Sequence, residues 1–158
     1  MKSRRMSLPF VAAVVGGFVL VAAQSDPAVG TWKLNSAKSR YNPGLPPKSQ
    51  TVTITAVANG IAVVSRGVDA EGKPIATDYT ATYDGKDAPV KGSRVYDTTS
   101  LKRIDASTSE LTRKKAGRVI QTVRRVISAD GKTMTVTTTG ENEAGVRVNN
   151  VAVFERGS

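Results

Sequence analysis

Apolar and polar residues alternate along most of the chain after residue 26, which is the period of half-buried β-strands. In the segment TVTITAV, Val52 and Ile54 alternate with threonines. Asn59 and Gly60 follow at once, and this dipeptide is the strongest short hairpin signal. Strands of this kind are predicted over residues 30–35, 51–57, 61–68, 77–83, 100–106, 109–115, 118–128, 132–139 and 146–156.

Glycine turns punctuate these segments at positions 60, 72, 85, 117, 131 and 145. Several short strands with turn signals at regular spacing predict an all-β sandwich or barrel. Residues 35–50 contain three prolines and a glycine and predict a loop, with room for one short helical turn around 36–40. Only one domain is predicted.

The N-terminal segment has a different composition, with Lys2, Arg4 and Arg5 followed by an uncharged apolar run. Together with the small residues Ala22 and Ala23, this order predicts a signal peptide over residues 1–23 and a mature domain over 24–158. The alternative is a retained membrane anchor, because the uncharged stretch is about long enough to span a bilayer. A cleaved signal predicts a periplasmic or secreted protein with no stable membrane span.

Charge and missing residue types narrow the function further. The chain has 23 Lys and Arg against 13 Asp and Glu, so a basic exterior that attracts anionic surfaces or polymers is one interpretation and solubility is the other. Cysteine and histidine are both absent, which removes thiolate chemistry, the commonest general base and the commonest metal ligand. No cofactor, metal site or catalytic residue is predicted. The basic segment 102–125 lacks interleaved aromatic residues, so no specific nucleic-acid partner is predicted.

The single tryptophan lies at the start of the first predicted strand. Trp32 and Leu34 share one face of that strand, and Arg156 shares a face with Phe154 on the last strand. In a meander that closes into a barrel, the last strand pairs with the first. We therefore predict a structural clasp in which Arg156 stacks on the Trp32 ring as a cation–π contact.

Alternation also predicts which polar side chains enter the barrel. The arginine at 103 shares parity with Leu101, and the glutamine and arginine on the 118–128 strand share parity with Val119, Val123 and Ile127. The candidate ligand-binding residues are Tyr79, Tyr83, Arg103, Gln121 and Arg125.

Buried arginines need a carboxylate or an anionic ligand, because an unpaired buried charge is costly. Three alternatives remain for this set. The tyrosines pack as core, Asp105 pairs with Arg103, or a β-bulge near 124–125 turns Arg125 outward.

The motif Gly-x-Trp in GTWKLN, the run of hairpins and the basic residue that ends the last strand resemble the calycin superfamily: lipocalins, fatty-acid-binding proteins and avidins. GTWKLN is most similar to the first strand of fatty-acid-binding proteins. Residues 26–158 resemble small exported bacterial proteins described as lipocalin-like, most clearly over 127–156. The resemblance implies an antiparallel up-and-down β-barrel of about eight to ten strands.

The chain departs from fatty-acid-binding proteins in two places. Their helical lid is replaced by the Pro-rich segment 35–50, and Ala152 and Phe154 stand where that family has an Arg-x-Tyr pair for the ligand carboxylate. The resulting prediction is a noncatalytic exported protein that binds a small apolar or anionic molecule. The alternative is a filled barrel whose basic exterior docks on anionic envelope polymers or partner proteins.

Overall fold

Ten antiparallel strands form the structure, a computed structural model that describes residues 25–157. The predicted signal peptide and its cleavage site lie outside these residues. The strands are β1 (Gly30–Leu34), β2 (Ser49–Val57), β3 (Gly60–Val68), β4 (Pro74–Thr82), β5 (Asp84–Lys91), β6 (Thr98–Arg103), β7 (Thr108–Lys115), β8 (Arg118–Ile127), β9 (Thr133–Glu141) and β10 (Arg147–Arg156).

Each strand pairs with its neighbour in sequence, and β1 pairs with both β2 and β10. At the closure, Trp32 lies opposite Val52 on one side and Arg156 on the other. Among the described residues, closure gives each of the ten strands a hydrogen-bonded neighbour on both sides. The predicted all-β, antiparallel up-and-down barrel is therefore confirmed, with ten strands.

Strand β5 has no counterpart in the sequence prediction. Its residues lack alternation, include Pro89, and shift register against β6 between Asp84 and Asp87. It pairs with β4 only at two positions, Asp78 with Lys91 and Tyr79 with Val90. Pairing with the neighbouring strands makes this segment a strand, since its own hydrophobic pattern does not.

A β-bulge in β8 corrects one predicted orientation. Gln121 lies opposite Arg113, but Lys114 lies opposite Val119, so Ile120 is an extra residue on β8. The bulge turns Val119 outward, where the prediction placed it inward, and buries Ile120 instead. Parity from Gln121 onward is unaffected, and Arg125 points into the barrel.

The Pro-rich segment between β1 and β2 runs beside β10 and exchanges backbone hydrogen bonds with it. It contains the predicted helical turn as a 3-10 turn over Ser36–Lys38, which Asn35 caps by accepting a bond from the Lys38 N–H. Further along, Arg40 bridges to Val151 on β10. Within residues 25–157, no helix is long and apolar enough to cross a membrane.

Candidate functional site

One end of the barrel is closed by residues 26–29, which we call the end plug. The Trp32 side chain is fully buried beneath the plug, and its Nε1 donates a hydrogen bond of 2.8 Å to the Ala28 carbonyl oxygen. The guanidinium carbon of Arg156 lies 4.2 Å from the centre of the Trp32 ring. The predicted contact between these two residues is thus present in the structure.

Arg156 also holds the plug through its hydrogen bonds. Its Nη1 and Nη2 donate to the carbonyl oxygens of Val29 and Pro27, each at 2.8 Å. Its Nε donates to the Gly131 carbonyl oxygen at 2.6 Å. One side chain therefore ties the end plug to β10 and to the turn between β8 and β9.

Asp26 anchors the start of the plug to the barrel wall. Its carboxylate accepts hydrogen bonds from the Tyr83 hydroxyl at 2.5 Å and from Arg103 Nη2 at 2.6 Å. The Arg103 guanidinium lies over the Tyr83 ring, 3.8 Å from its centre. Burial raises the pKa of Asp26, but hydrogen bonds from Tyr83, the Ala28 N–H and Arg103 outweigh burial and hold the pKa below its ordinary value.

This geometry predicts a pH dependence for the plug. Because the folded pKa of Asp26 lies below its ordinary value of 3.8, its stabilising effect is complete above that pH and is lost as pH falls through the folded pKa. The melting temperatures of the wild type and of Asp26→Asn should therefore differ most near neutral pH. They should converge at pH values below the ordinary pKa of the Asp26 carboxyl. An equal difference in melting temperature at about pH 3 and at about pH 7 would contradict the assignment.

A cavity of about 220 Å³ lies inside the barrel, beyond the closed end. This volume is below the range of about 300–1,000 Å³ that is typical of sites for drug-sized molecules, so the cavity fits a small ligand. Strands β2, β3, β4, β9 and β10 supply its apolar wall, which consists of Val52, Val63, Ile75, Met134, Val136, Ala152 and Phe154.

Arg125 is the buried charge in this cavity. Its side chain is only 6% exposed, and its Nη2 donates a hydrogen bond of 3.1 Å to the hydroxyl of Tyr79, which also lines the cavity. Its Nε and Nη1 are buried without a hydrogen-bond partner in the part of the chain that the structure describes. Two donor nitrogens of a buried cation are thus left for an acceptor from outside the chain.

Arg113 is a second cavity-lining arginine, which the sequence prediction missed. It shares parity with the buried Leu111 on β7, and that parity was the available signal. Its Nη1 donates to Gln121 Oε1 at 3.0 Å, while Gln121 Nε2 donates to the Glu141 carbonyl oxygen at 2.8 Å. Gln121 is buried, but it lines an open groove of about 590 Å³ and not the cavity.

The structure separates the predicted ligand-binding residues into two pairs and Gln121, which contacts Arg113 and does not line the cavity. Tyr79 and Arg125 line the cavity. Tyr83 and Arg103 belong to the closed end, where Arg103 pairs with Asp26 and not with Asp105, the alternative partner that the sequence offered. This happens because Arg103 is the last residue of β6 and reaches past the barrel wall toward the plug.

Over residues 25–157, no group of three or more His, Cys, Asp or Glu side chains is arranged to hold a metal ion. Comparison with protein-family models finds no match, and comparison with curated proteins finds none either. Among solved structures, the chain is similar to the crystal structure of zebrafish ileal bile acid-binding protein complexed with cholic acid. The two are 12% identical, with a TM-score of 0.49, and the alignment covers 83% of this chain and 99% of that chain.

Proposed function

We propose that the barrel is a noncatalytic binding protein for a small anionic amphiphile. The observation that carries this proposal is the burial of Arg125. Two of its donor nitrogens, Nε and Nη1, have no hydrogen-bond acceptor within residues 25–157. Burying an unpaired charge costs roughly several kcal/mol, and an anionic head group in the cavity would offset that cost. Tyr79 holds the guanidinium in place for such a contact.

The rest of the cavity fits the apolar part of the same ligand. The last strand contributes only Ala152 and Phe154 to the wall, so a head group would be bound from β8 and not from β10. Apolar contact supplies most of the affinity in sites of this kind, and a few placed polar groups supply orientation. The predicted signal peptide extends the proposal to binding in the periplasm or outside the cell.

The proposal is noncatalytic because the chain supplies little acid–base chemistry. Histidine and cysteine are absent from the sequence, and the ionisable side chains that line the cavity are arginines and tyrosines. An arginine remains protonated at every physiological pH and does not exchange a proton with a substrate. Its role in the cavity is therefore to bind and orient.

Calorimetric titration with octanoate, decanoate and dodecanoate tests this function. Protein purified from its native host, for which mass spectrometry is expected to find an N-terminus at or near Gln24, should bind at least one of them in a salt-resistant way. Arg125→Met should weaken that binding tenfold or more, since a hydrogen bond to a charged group contributes about 1.5–3 kcal/mol. Without ligand, Arg125→Met should also melt at a higher temperature than the wild type, because the variant lacks an uncompensated buried charge.

The matched control is Arg124→Met, which changes the neighbouring residue on the outer, exposed face of β8. It should alter neither binding nor the barrel interior. Absence of binding across the series, with Arg125→Met melting like the wild type, would contradict the proposal. Salt-sensitive binding of polyanions alone would instead favour a basic exterior that docks on anionic polymers.

A further inference from the structure

Arg113 places a second cation in the same cavity. Its guanidinium carbon lies 4.4 Å from the centre of the Tyr96 ring, and its one side-chain hydrogen bond within residues 25–157 goes to Gln121. None of the ion pairs in the described part of the chain includes Arg113 or Arg125. A guanidinium has five N–H donors, so Arg113 is positioned by two neighbours and still has free donors.

The two arginines lie at different levels of the barrel. Arg113 is opposite Gln121, and Gln121 precedes Arg125 by four residues on β8. At about 3.3–3.4 Å per residue, their levels are about 13 Å apart along the strand. The level between them is occupied by Leu111 and Val123, which are fully buried and apolar. Leu111 and Val123 do not themselves line the cavity, whose wall combines the two cations with apolar side chains from other strands, such as Val63 and Val136.

The surroundings of Arg113 in the cavity are polar. Tyr41 and Tyr96 line the cavity on the Arg113 side. Burial raises the pKa of Tyr41, and the positive charge of Arg113 opposes that shift. Gln50 and Ser65 also line the cavity and bond to each other at 2.8 Å.

We infer that the cavity is built for an amphiphile with an acidic group at each end, an aliphatic α,ω-dicarboxylate. This inference rests on the proposed function, because it assigns one carboxylate to Arg125. The other carboxylate binds Arg113, and the aliphatic spacer lies along the apolar wall of the cavity. The methyl end of a monocarboxylate would instead displace water from Arg113 and supply no acceptor, which is unfavourable. A second carboxylate forms charge-assisted hydrogen bonds there.

The test compares ligands of equal chain length, decanedioate with decanoate and octanedioate with octanoate, by calorimetry on the full mature protein. In the wild type, the better dicarboxylate should bind at least about tenfold more tightly than its matched monocarboxylate. Arg113→Met should abolish this preference, because the second carboxylate loses its cationic partner. Lys115→Met, an exposed change on the same strand, is the control and should preserve the preference.

Equal affinity for the two ligand types in the wild type would overturn the dicarboxylate inference and leave the binding function of Arg125 standing. A preference that survives in Arg113→Met would also overturn it. Failure of every mono- and dicarboxylate to bind would overturn both proposals. The wild-type comparison requires no variant, so the inference is falsifiable even if Arg113→Met does not fold.

Discussion

Replacement of Trp32 by alanine is expected to lower the free energy of unfolding by about 3–5 kcal/mol, the range for truncating a large buried aromatic side chain. The ring is fully buried and occupies the junction of β1, β2 and β10. Its loss removes the packing beneath the end plug and the hydrogen bond to the Ala28 carbonyl oxygen. Chemical denaturation gives the measurement, with the exposed outward-facing Lys33→Ala as a control within about 0.5 kcal/mol of the wild type.

A double-mutant cycle extends this prediction to Arg156. Arg156→Ala should cost less than Trp32→Ala, because Arg156 is largely exposed and its ring contact is worth about 0.5–2 kcal/mol. The double variant should cost less than the sum of the two single variants, since the first change already removes the contact between them. Strict additivity would mean that the stacking does not contribute to stability.

The second large effect is expected at Gly92, between β5 and β6. Its φ is +77°, and a Cβ there would lie 1.8 Å from the Ala76 carbonyl oxygen. Gly92→Ala therefore combines the left-handed backbone penalty with a clash against the backbone of β4, for a total of about 3 kcal/mol. Because the next residue, Ser93, lines the cavity, the forced backbone movement should also weaken ligand binding.

Gly145 offers a matched control for this prediction. Its φ is +74°, but a Cβ there would meet no atom within 4 Å. Gly145→Ala thus carries the same backbone penalty without the clash and should cost about 1–2 kcal/mol. Denaturation of the two variants side by side isolates the clash. Equal losses of stability would show that the segment around Gly92 moves away from β4 without cost.

These expectations depend on features that the sequence reveals to different degrees. The inward orientation of Trp32, Tyr79 and Arg125 follows from the two-residue period of a strand, which is a local property. Successive hairpins with short turns lead to an up-and-down order of strands, and closure then brings Arg156 to Trp32. The order of strands and the charged interior were therefore predictable without a structure.

Three features depended on residues distant in the chain. Strand β5 exists because β4 and β6 offer backbone partners to a segment with no pattern of its own. The bulge at Ile120 depends on how β7 faces β8, which no single-strand pattern encodes. Asp26 reaches Tyr83 and Arg103 only after the end plug folds over the barrel.

The site divides in the same way. Alternation along the sequence determined that an arginine on β8 enters the barrel, because side-chain direction in a strand is set residue by residue. Only the tertiary structure decided that Arg103 is neutralised by Asp26, that Arg125 keeps buried donors without a partner in the described residues, and that Arg113 lines the same cavity. Whether a buried charge has a partner depends on every strand that surrounds it, and barrel closure, not local pattern, brings those strands together.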